Sequence, residues 1–182
     1  MKKTADRKNT IAVIGLGYVG LPLAVDLSKF NEVLGYDLCE DRISELLKMF
    51  DRTGESSRAE LSNFIKYGGR FTSNISDVSN ANIYIVTVPT PVYKDNQPDF
   101  NPLISASKAI GSCLRKNNIV IYESTVFPGA TEEICVPVLE EASGLIFRND
   151  FYVGYSPERI NPGDKNNNLT NIVKVTSGYS QK

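Results

Sequence analysis

The stretch Thr10-Ile11-Ala12-Val13-Ile14-Gly15-Leu16-Gly17-Tyr18-Val19-Gly20 begins with apolar residues, several of them β-branched, and ends in three spaced glycines. A short apolar run of this kind is typical of a strand that is buried on both faces. After the glycines, Val19, Leu23 and Leu27 lie four residues apart, which predicts a helix from about Tyr18 to Lys29. The stretch therefore predicts a strand, a glycine turn and a helix in succession.

Each glycine of the turn has its own physical task. Gly15 allows the tight turn, Gly17 leaves room for a diphosphate to approach the backbone, and Gly20 lets the helix pack closely on the strand. The diphosphate would then lie on free amides at the positive end of the helix. Glycine turns also occur for packing reasons alone, so this interpretation needs a second feature.

Asp37 supplies that second feature. It ends the predicted strand Glu32–Asp37 and lies 22 positions after Gly15, close to the spacing of about 20 for a carboxylate that binds an adenosine ribose. Because Asp37 would repel a 2′-phosphate and the next residue is Leu38, the pattern favours NAD over NADP. Arg42 is predicted to lie over the adenine, with a solvated charge on the second helix as the alternative.

The composition is that of a globular chain and does not by itself identify a ligand or partner. Its 182 residues suffice for a core, and a net charge of −1 indicates neither a nucleic-acid nor a membrane partner. The chain has no histidine and no C-x-x-C pair, which argues against a metal site and for a cytoplasmic location. Residues 1–9 are predicted to be a polar tail rather than a signal peptide, and residues 10–182 an NAD-binding domain.

Predicted strands and helices alternate along the chain. Further helices are expected at about 40–50, 58–67, 102–115 and 128–142, and further strands near 71 and at 82–88, 119–122, 151–155 and 172–176. This order predicts an α/β fold, a doubly wound parallel sheet of the Rossmann type. In such a sheet ligands bind beyond the carboxyl ends of the strands, so the unusual sequences at those ends should line one crevice.

Two strand ends place threonines beside prolines. Thr87, Pro89 and Thr90 leave the fourth strand where the nicotinamide half of a dinucleotide should pass, and a rigid turn is the alternative. Thr125, in the segment Ser124–Gly129, is predicted to bind the cofactor or orient a substrate oxygen. The alternative for this segment is a simple cap on the next helix.

Glu158 lies in Ser156-Pro157-Glu158-Arg159-Ile160-Asn161-Pro162-Gly163-Asp164, which brings a carboxylate, a guanidinium and an amide together on a loop stiffened by proline. Such a setting suits a general acid or base. A surface ion pair between Glu158 and Arg159 is the alternative. Thr125 and Glu158 are therefore the candidate catalytic residues.

Five ordered motifs resemble the N-terminal domain of the UDP-glucose/GDP-mannose dehydrogenase family. They are Gly15–Pro22, the spacing of Asp37 and Arg42, Val88–Pro91, Glu123–Thr125 and Ser156–Arg159. The sequences at 51–55 and 157–163 are similar to the branch that acts on UDP-N-acetylhexosamines for capsule and O-antigen synthesis. By position, the resemblance implies NAD contacts from Tyr18, Val19, Asp37, Arg42, Thr90 and Thr125, and substrate contacts from Glu158, Arg159, Ile160 and Asn161.

The family oxidises the C6 alcohol of a nucleotide sugar to a carboxylate with two NAD⁺. The resemblance implies that a cysteine traps the aldehyde as a thiohemiacetal, which is oxidised to a thioester and hydrolysed with the carboxylate that matches Glu158. In the family this cysteine lies in a Gly-Gly-x-Cys segment of a later domain, beyond a central helix, and this sequence contains no such segment. Cys39, Cys113 and Cys135 are therefore expected to be structural.

Two differences from the family, the lack of a Gly-Gly-x-Cys segment and Pro162, change the activity expected of this chain. The 182 residues are expected to bind NAD without turnover and to be monomeric, whereas the full-length enzyme is expected to be a homodimer acting on a UDP-sugar. Pro162 replaces a second glutamate of the glucose-oxidising branch, which weakens any assignment to UDP-glucose.

Two alternatives remain open: a stand-alone NAD-binding module that senses redox state or regulates a partner, and another dehydrogenase such as a hydroxyacid enzyme. The latter needs a catalytic His or Lys, and this chain has no histidine.

Overall fold

The computed structural model describes residues 9–158 and 173–178, and its central strand is β1, Thr10–Ile14. Ile11 to Ile14 are buried because helices cover both faces of the sheet at this strand. The other strands are β2 Glu32–Tyr36, β3 Arg70–Thr72, β4 Ile83–Val86, β5 Ile119–Tyr122, β6 Tyr152–Tyr155 and β7 Ser177–Gly178.

The strands form one sheet in the order β3-β2-β1-β4-β5-β6-β7. Strands β1 to β6 pair in parallel, and the chain order reverses between β1 and β4. This reversal is the topological switch point at which doubly wound sheets bind their ligands. The predicted α/β fold of the Rossmann type is confirmed.

The helices lie in two layers. They are α1 Gly20–Leu27, α2 Glu40–Leu47, α3 Arg58–Lys66, α4 Asn101–Gly111 and α5 Val136–Ser143, with a 3₁₀ turn at Ile75–Val78 and a π-helical turn at Thr131–Cys135. One core contains Leu21, Leu46 and Phe64 from α1, α2 and α3, whereas the other contains Leu103 and Leu139 from α4 and α5. No described helix is long and apolar enough to cross a membrane.

The prediction of a last strand over 172–176 is wrong for its described part. Residues 173–176 form no strand, and the pairing with β6 is made instead by Ser177–Gly178, in antiparallel register. The apolar side chains of Val173 and Val175, which suggested a buried strand, are exposed. Residue 172 and the predicted tail, apart from Asn9, lie outside the described residues.

Several helix ends also differ from prediction, such as that of α2, which ends at Leu47 rather than near residue 50. Helix α1 begins at Gly20 rather than Tyr18, because Tyr18 and Val19 belong to the glycine turn. Helix α4 ends at Gly111 rather than near residue 115. The longer turn before α1 is the one that faces the candidate site.

Candidate functional site

The carboxyl ends of β1, β2, β4, β5 and β6 open into one crevice of about 680 Å³. The crevice brings together most residues that the sequence selected. Those that line it are Gly15, Gly17, Tyr18, Val19, Asp37, Thr87, Pro89, Thr90, Thr125 and Glu158. Gly20 and Arg42 are not among its lining residues: Gly20 packs against Gly15 within the turn, and Arg42 donates a hydrogen bond to the Leu16 carbonyl.

The three glycines of the turn meet different surroundings. Gly15 has φ +94°, a left-handed backbone conformation that side chains disfavour. A Cβ on Gly20 would lie 1.9 Å from the Gly15 oxygen and 2.3 Å from Thr87 Oγ1, so this position is closed to any side chain. A Cβ on Gly17 would meet no atom within 4 Å. Gly20 therefore serves packing, and Gly17 faces open space at the crevice.

The start of α1 can receive an anion. Within residues 9–158 and 173–178, no group accepts a hydrogen bond from the backbone amides of Gly17, Tyr18 or Val19. The helix has no side-chain cap and no acidic residue in its first turn. Free amides at the positive end of a helix are the usual receptor for a diphosphate, so the turn fits that part of a dinucleotide.

Asp37 is held in a fixed orientation beside the turn. Its Oδ2 accepts from the Leu16 amide at 2.8 Å, and its Oδ1 accepts from the Cys39 amide at 2.9 Å. Each carboxylate oxygen has a further lone pair, so both can still accept from ribose hydroxyls. Asp37 lies at the end of β2 beside the glycine turn, and its contact with a ribose stays a prediction.

Arg42 has partners other than a ligand. Its guanidinium is buried, and it donates from Nε to the Leu16 carbonyl at 2.9 Å and from Nη2 to Asp51 Oδ1 at 2.7 Å. The burial of Asp51 alone would raise the pKa of that carboxyl, but hydrogen bonds from Thr53, Ser56 and Arg42 outweigh burial and lower the pKa. Arg42 thus links the glycine turn to the loop after α2, and its contact with adenine stays a prediction.

The threonines and Ser124 join the exits of neighbouring strands. Thr87 Oγ1 donates to the Gly15 carbonyl at 2.8 Å, which ties β4 to the glycine turn. Thr90 Oγ1 donates to the Thr125 carbonyl at 2.7 Å, and Ser124 Oγ donates to the Val88 carbonyl at 2.6 Å. The predicted cofactor contacts of Thr87 and Thr90 would therefore use their remaining acceptor lone pairs.

Glu158 lies at the exit of β6 and lines the crevice. The Ser156 amide donates to the Tyr122 carbonyl at 3.0 Å, which holds this exit beside β5. The predicted substrate residues Arg159, Ile160 and Asn161 lie outside the described residues. The structure therefore places the carboxylate of the predicted substrate segment but not the rest of that segment.

Four further polar residues belong to this region although the sequence did not single them out as site residues. Asp99 and Asn101 line the crevice at the start of α4, where Asp99 Oδ1 accepts from the Asn101 amide at 2.9 Å. Glu123 lines it at the exit of β5 and forms an ion pair with Lys174. A charged residue directly after a buried strand could have marked Glu123. No local signal marks Lys174, because its partner lies 51 positions away.

The cysteines do not form a reactive cluster. Burial raises the pKa of the Cys113 and Cys135 thiols, which disfavours the nucleophilic thiolate. Cys39 is exposed at the start of α2, and all three are free thiols. Across the described part of the chain, no group of three or more His, Cys, Asp or Glu side chains could hold a metal ion.

Comparison with known proteins points to one family. The family model for the NAD binding domain of the UDP-glucose/GDP-mannose dehydrogenase family matches residues 9–182. The chain is 56% identical over 168 residues to UDP-N-acetyl-D-glucosamine 6-dehydrogenase of Pseudomonas aeruginosa, which covers 92% of this chain and 39% of that protein. It is 53% identical over 171 residues to protein CapL of Staphylococcus aureus, with 93% and 39% covered.

A solved structure agrees with this match. NDP-N-acetyl-D-galactosaminuronic acid dehydrogenase from Methanosarcina mazei Go1 superposes with a TM-score of 0.86 at 29% identity, covering 97% of this chain and 40% of that one. The chain thus spans about two fifths of the length of the relatives that it matches.

Proposed function

We propose that the chain, which belongs to the UDP-glucose/GDP-mannose dehydrogenase family, is the cofactor-binding part of an enzyme that oxidises C6 of a UDP-N-acetylhexosamine to a carboxylate. NAD is the cofactor of this domain, and it supplies the hydride acceptor. The observation that carries the proposal is the single crevice that brings the glycine turn, Asp37, Thr125 and Glu158 together.

The chain's own residues have separable tasks in this proposal. The amides of Gly17, Tyr18 and Val19 bind the diphosphate, and Asp37 binds the adenosine ribose. Thr125 and Glu158 lie beyond them, at the exits of β5 and β6, where the nicotinamide and the sugar would meet. Glu158 is the acid or base there, since a carboxylate at the crevice wall can move a proton to or from a water.

The branch of the family is proposed from the relatives. Two proteins more than 50% identical to this chain are named UDP-N-acetyl-D-glucosamine 6-dehydrogenases, in Pseudomonas aeruginosa and Salmonella typhi. We therefore place the sugar among the UDP-N-acetylhexosamines and its product in capsule or O-antigen synthesis. We also propose a cytoplasmic location, which the three free thiols support.

The experiment that tests the substrate class uses the full-length enzyme that carries this domain. Reduction of NAD⁺ is followed with UDP-N-acetylglucosamine, UDP-N-acetylgalactosamine, UDP-N-acetylmannosamine and UDP-glucose. The proposal expects turnover with at least one N-acetyl sugar and little with UDP-glucose, whereas a preference for UDP-glucose would contradict it. The isolated 182 residues should bind NAD⁺ but give no sustained NADH, because the family's Gly-Gly-x-Cys segment is not in this sequence.

A further inference from the structure

The crevice holds a buried ion pair that the proposed chemistry does not use. Glu123, at the exit of β5, is 8% exposed, and its Oε2 accepts from Nζ of Lys174. A buried carboxylate is costly unless a cation accompanies it, and such a pair contributes little net stability. Its place on the wall of a ligand crevice therefore points to a task in binding.

Lys174 turns inward from an otherwise exposed segment. Its neighbours Val173 and Val175 are 79% and 49% exposed, whereas the Lys174 side chain is 21% exposed. The ladder between Ser177–Gly178 and β6 holds the same segment from its other end. Lys174 thus fixes the rotation of the Glu123 carboxylate through a long-range contact.

The position of Glu123 matches the far end of a bound dinucleotide. With the ribose on Asp37 at β2 and the diphosphate on the turn after β1, the ligand must run toward β4 and β5. Adjacent strands lie about 4.8 Å apart, so three steps place the exit of β5 about 14 Å from that of β2. Glu123 therefore lies at the nicotinamide end.

We propose that Glu123 accepts a hydrogen bond from the carboxamide amino group of the nicotinamide ring, and that Lys174 is the positioning residue that orients it. Within the described residues, Oε1 of Glu123 receives no hydrogen bond, so a carboxylate oxygen remains for the amino group. Two carboxylates then define the ligand's ends, each oriented by donors of the protein: Asp37 by two amides, and Glu123 by Lys174. This inference rests on the proposed function, because it assumes that a nicotinamide cofactor occupies the crevice.

The first test changes the ligand and leaves the protein intact. Calorimetric titration of the 182-residue chain compares NAD⁺ with 3-acetylpyridine adenine dinucleotide, in which a methyl group replaces the amino donor, and with ADP-ribose, which lacks the ring. One hydrogen bond to a charged group predicts that NAD⁺ binds about tenfold more tightly than the acetylpyridine analogue. Equal affinity for these two ligands would overturn the proposal while leaving NAD binding intact. Failure of both NAD⁺ and ADP-ribose to bind would overturn the proposed function as well.

The second test changes Glu123. Glu123→Ala should lower the affinity for NAD⁺ about tenfold, to that of the acetylpyridine analogue, and leave the affinity for ADP-ribose unchanged. Glu123→Gln keeps an acceptor oxygen and should keep part of the preference, which preserves the test if the alanine variant folds poorly. A purely structural ion pair would predict equal losses for NAD⁺ and ADP-ribose, and that result would overturn the assignment.

The third test concerns Lys174. Lys174→Met should reduce the ratio of NAD⁺ to ADP-ribose affinity by less than Glu123→Ala does, since the carboxylate remains but loses its fixed orientation. Lys174→Arg keeps a cationic donor and should restore most of that ratio. An unchanged ratio in Lys174→Met would remove Lys174 from the proposal.

Discussion

The two halves of the crevice are built in different ways. In the half made by β1, α1 and β2, the contacts that orient Asp37 come from this strand-turn-helix-strand unit and the residues directly after it, such as the Leu16 amide. In the half made by β4, β5 and β6, the contacts join separate loops, such as Thr90 to Thr125 and Glu123 to Lys174. The first half is therefore specified by a motif, and the second by tertiary contacts.

The largest loss of stability is expected from a change of Asp51. It tests whether the half of the crevice made by β1, α1 and β2 also depends on a residue outside that unit. Asp51→Asn removes the charge that holds Arg42 beneath the glycine turn, and breaking a buried ion pair should lower the free energy of unfolding by about 3 kcal/mol at pH 7. Asp41→Asn, an exposed change on α2, is the control and should cost less than about 0.5 kcal/mol. Equal stabilities in chemical denaturation would contradict this role of Asp51.

The same pair predicts a pH dependence. Because the pKa of Asp51 is lowered in the folded protein, its stabilisation is present above the unfolded aspartate pKa of about 3.9 and is lost as the pH falls through the lower folded value. The difference in stability between wild type and Asp51→Asn should therefore begin to shrink below about pH 4 and continue to shrink toward the lower folded pKa. Denaturation curves between pH 3 and pH 7 check this, and a constant difference would contradict it.

Substitutions of two glycines in the first half should affect stability and NAD⁺ binding differently. Gly20→Ala places a Cβ against the Gly15 oxygen and should cost about 3 kcal/mol of stability. Gly17→Ala enters open space, so its stability should stay within about 0.5 kcal/mol of wild type. Its NAD⁺ affinity should nevertheless fall about tenfold, because the methyl group occupies the path of the diphosphate. Thermal melts and titrations distinguish the two variants, and similar results for both would be inconsistent with this division.

Asp37 tests the choice of cofactor. Asp37→Ala removes a fixed charged acceptor and should weaken NAD⁺ binding about tenfold, while narrowing the gap between NAD⁺ and NADP⁺. Asp26→Ala, which breaks a surface pair with Lys29, should change neither affinity. Asp37 would have no part in cofactor choice if its alanine variant kept the full preference for NAD⁺.

The smallest loss of stability is expected in the half made by β4, β5 and β6, because several hydrogen bonds hold its loops together and the variant removes only one of them. Thr90→Val removes the bond to the Thr125 carbonyl and should cost about 1 kcal/mol of stability. Ser105→Ala is the control, since Ser105 lines the crevice and its hydroxyl makes no hydrogen bond among the described residues. A Thr90→Val melting curve like that of Ser105→Ala would mean that the bond does not stabilise this half.

The same contrast explains what the sequence could predict. The glycine spacing and Asp37 were enough to predict the fold class and the half of the crevice made by β1, α1 and β2. This motif combines a local sequence pattern with a fixed number of residues between Gly15 and Asp37. The contact of Arg42 with the cofactor stays a prediction, but its ion pair with Asp51 could not be predicted, because no periodicity reveals a partner in the loop after α2. Lys174 carried no signal for the same reason. The last strand was misplaced because alternating valines resemble a strand even where they are exposed.

Calorimetric titration of the purified 182-residue chain with NAD⁺, with NADP⁺ as the comparison, tests directly whether the crevice is a dinucleotide site. We expect saturable binding of NAD⁺ and little response to NADP⁺, because the glycine turn receives the diphosphate and Asp37 repels a 2′-phosphate. No binding of either nucleotide at millimolar concentration, or equal binding of both, would contradict the assignment of this crevice.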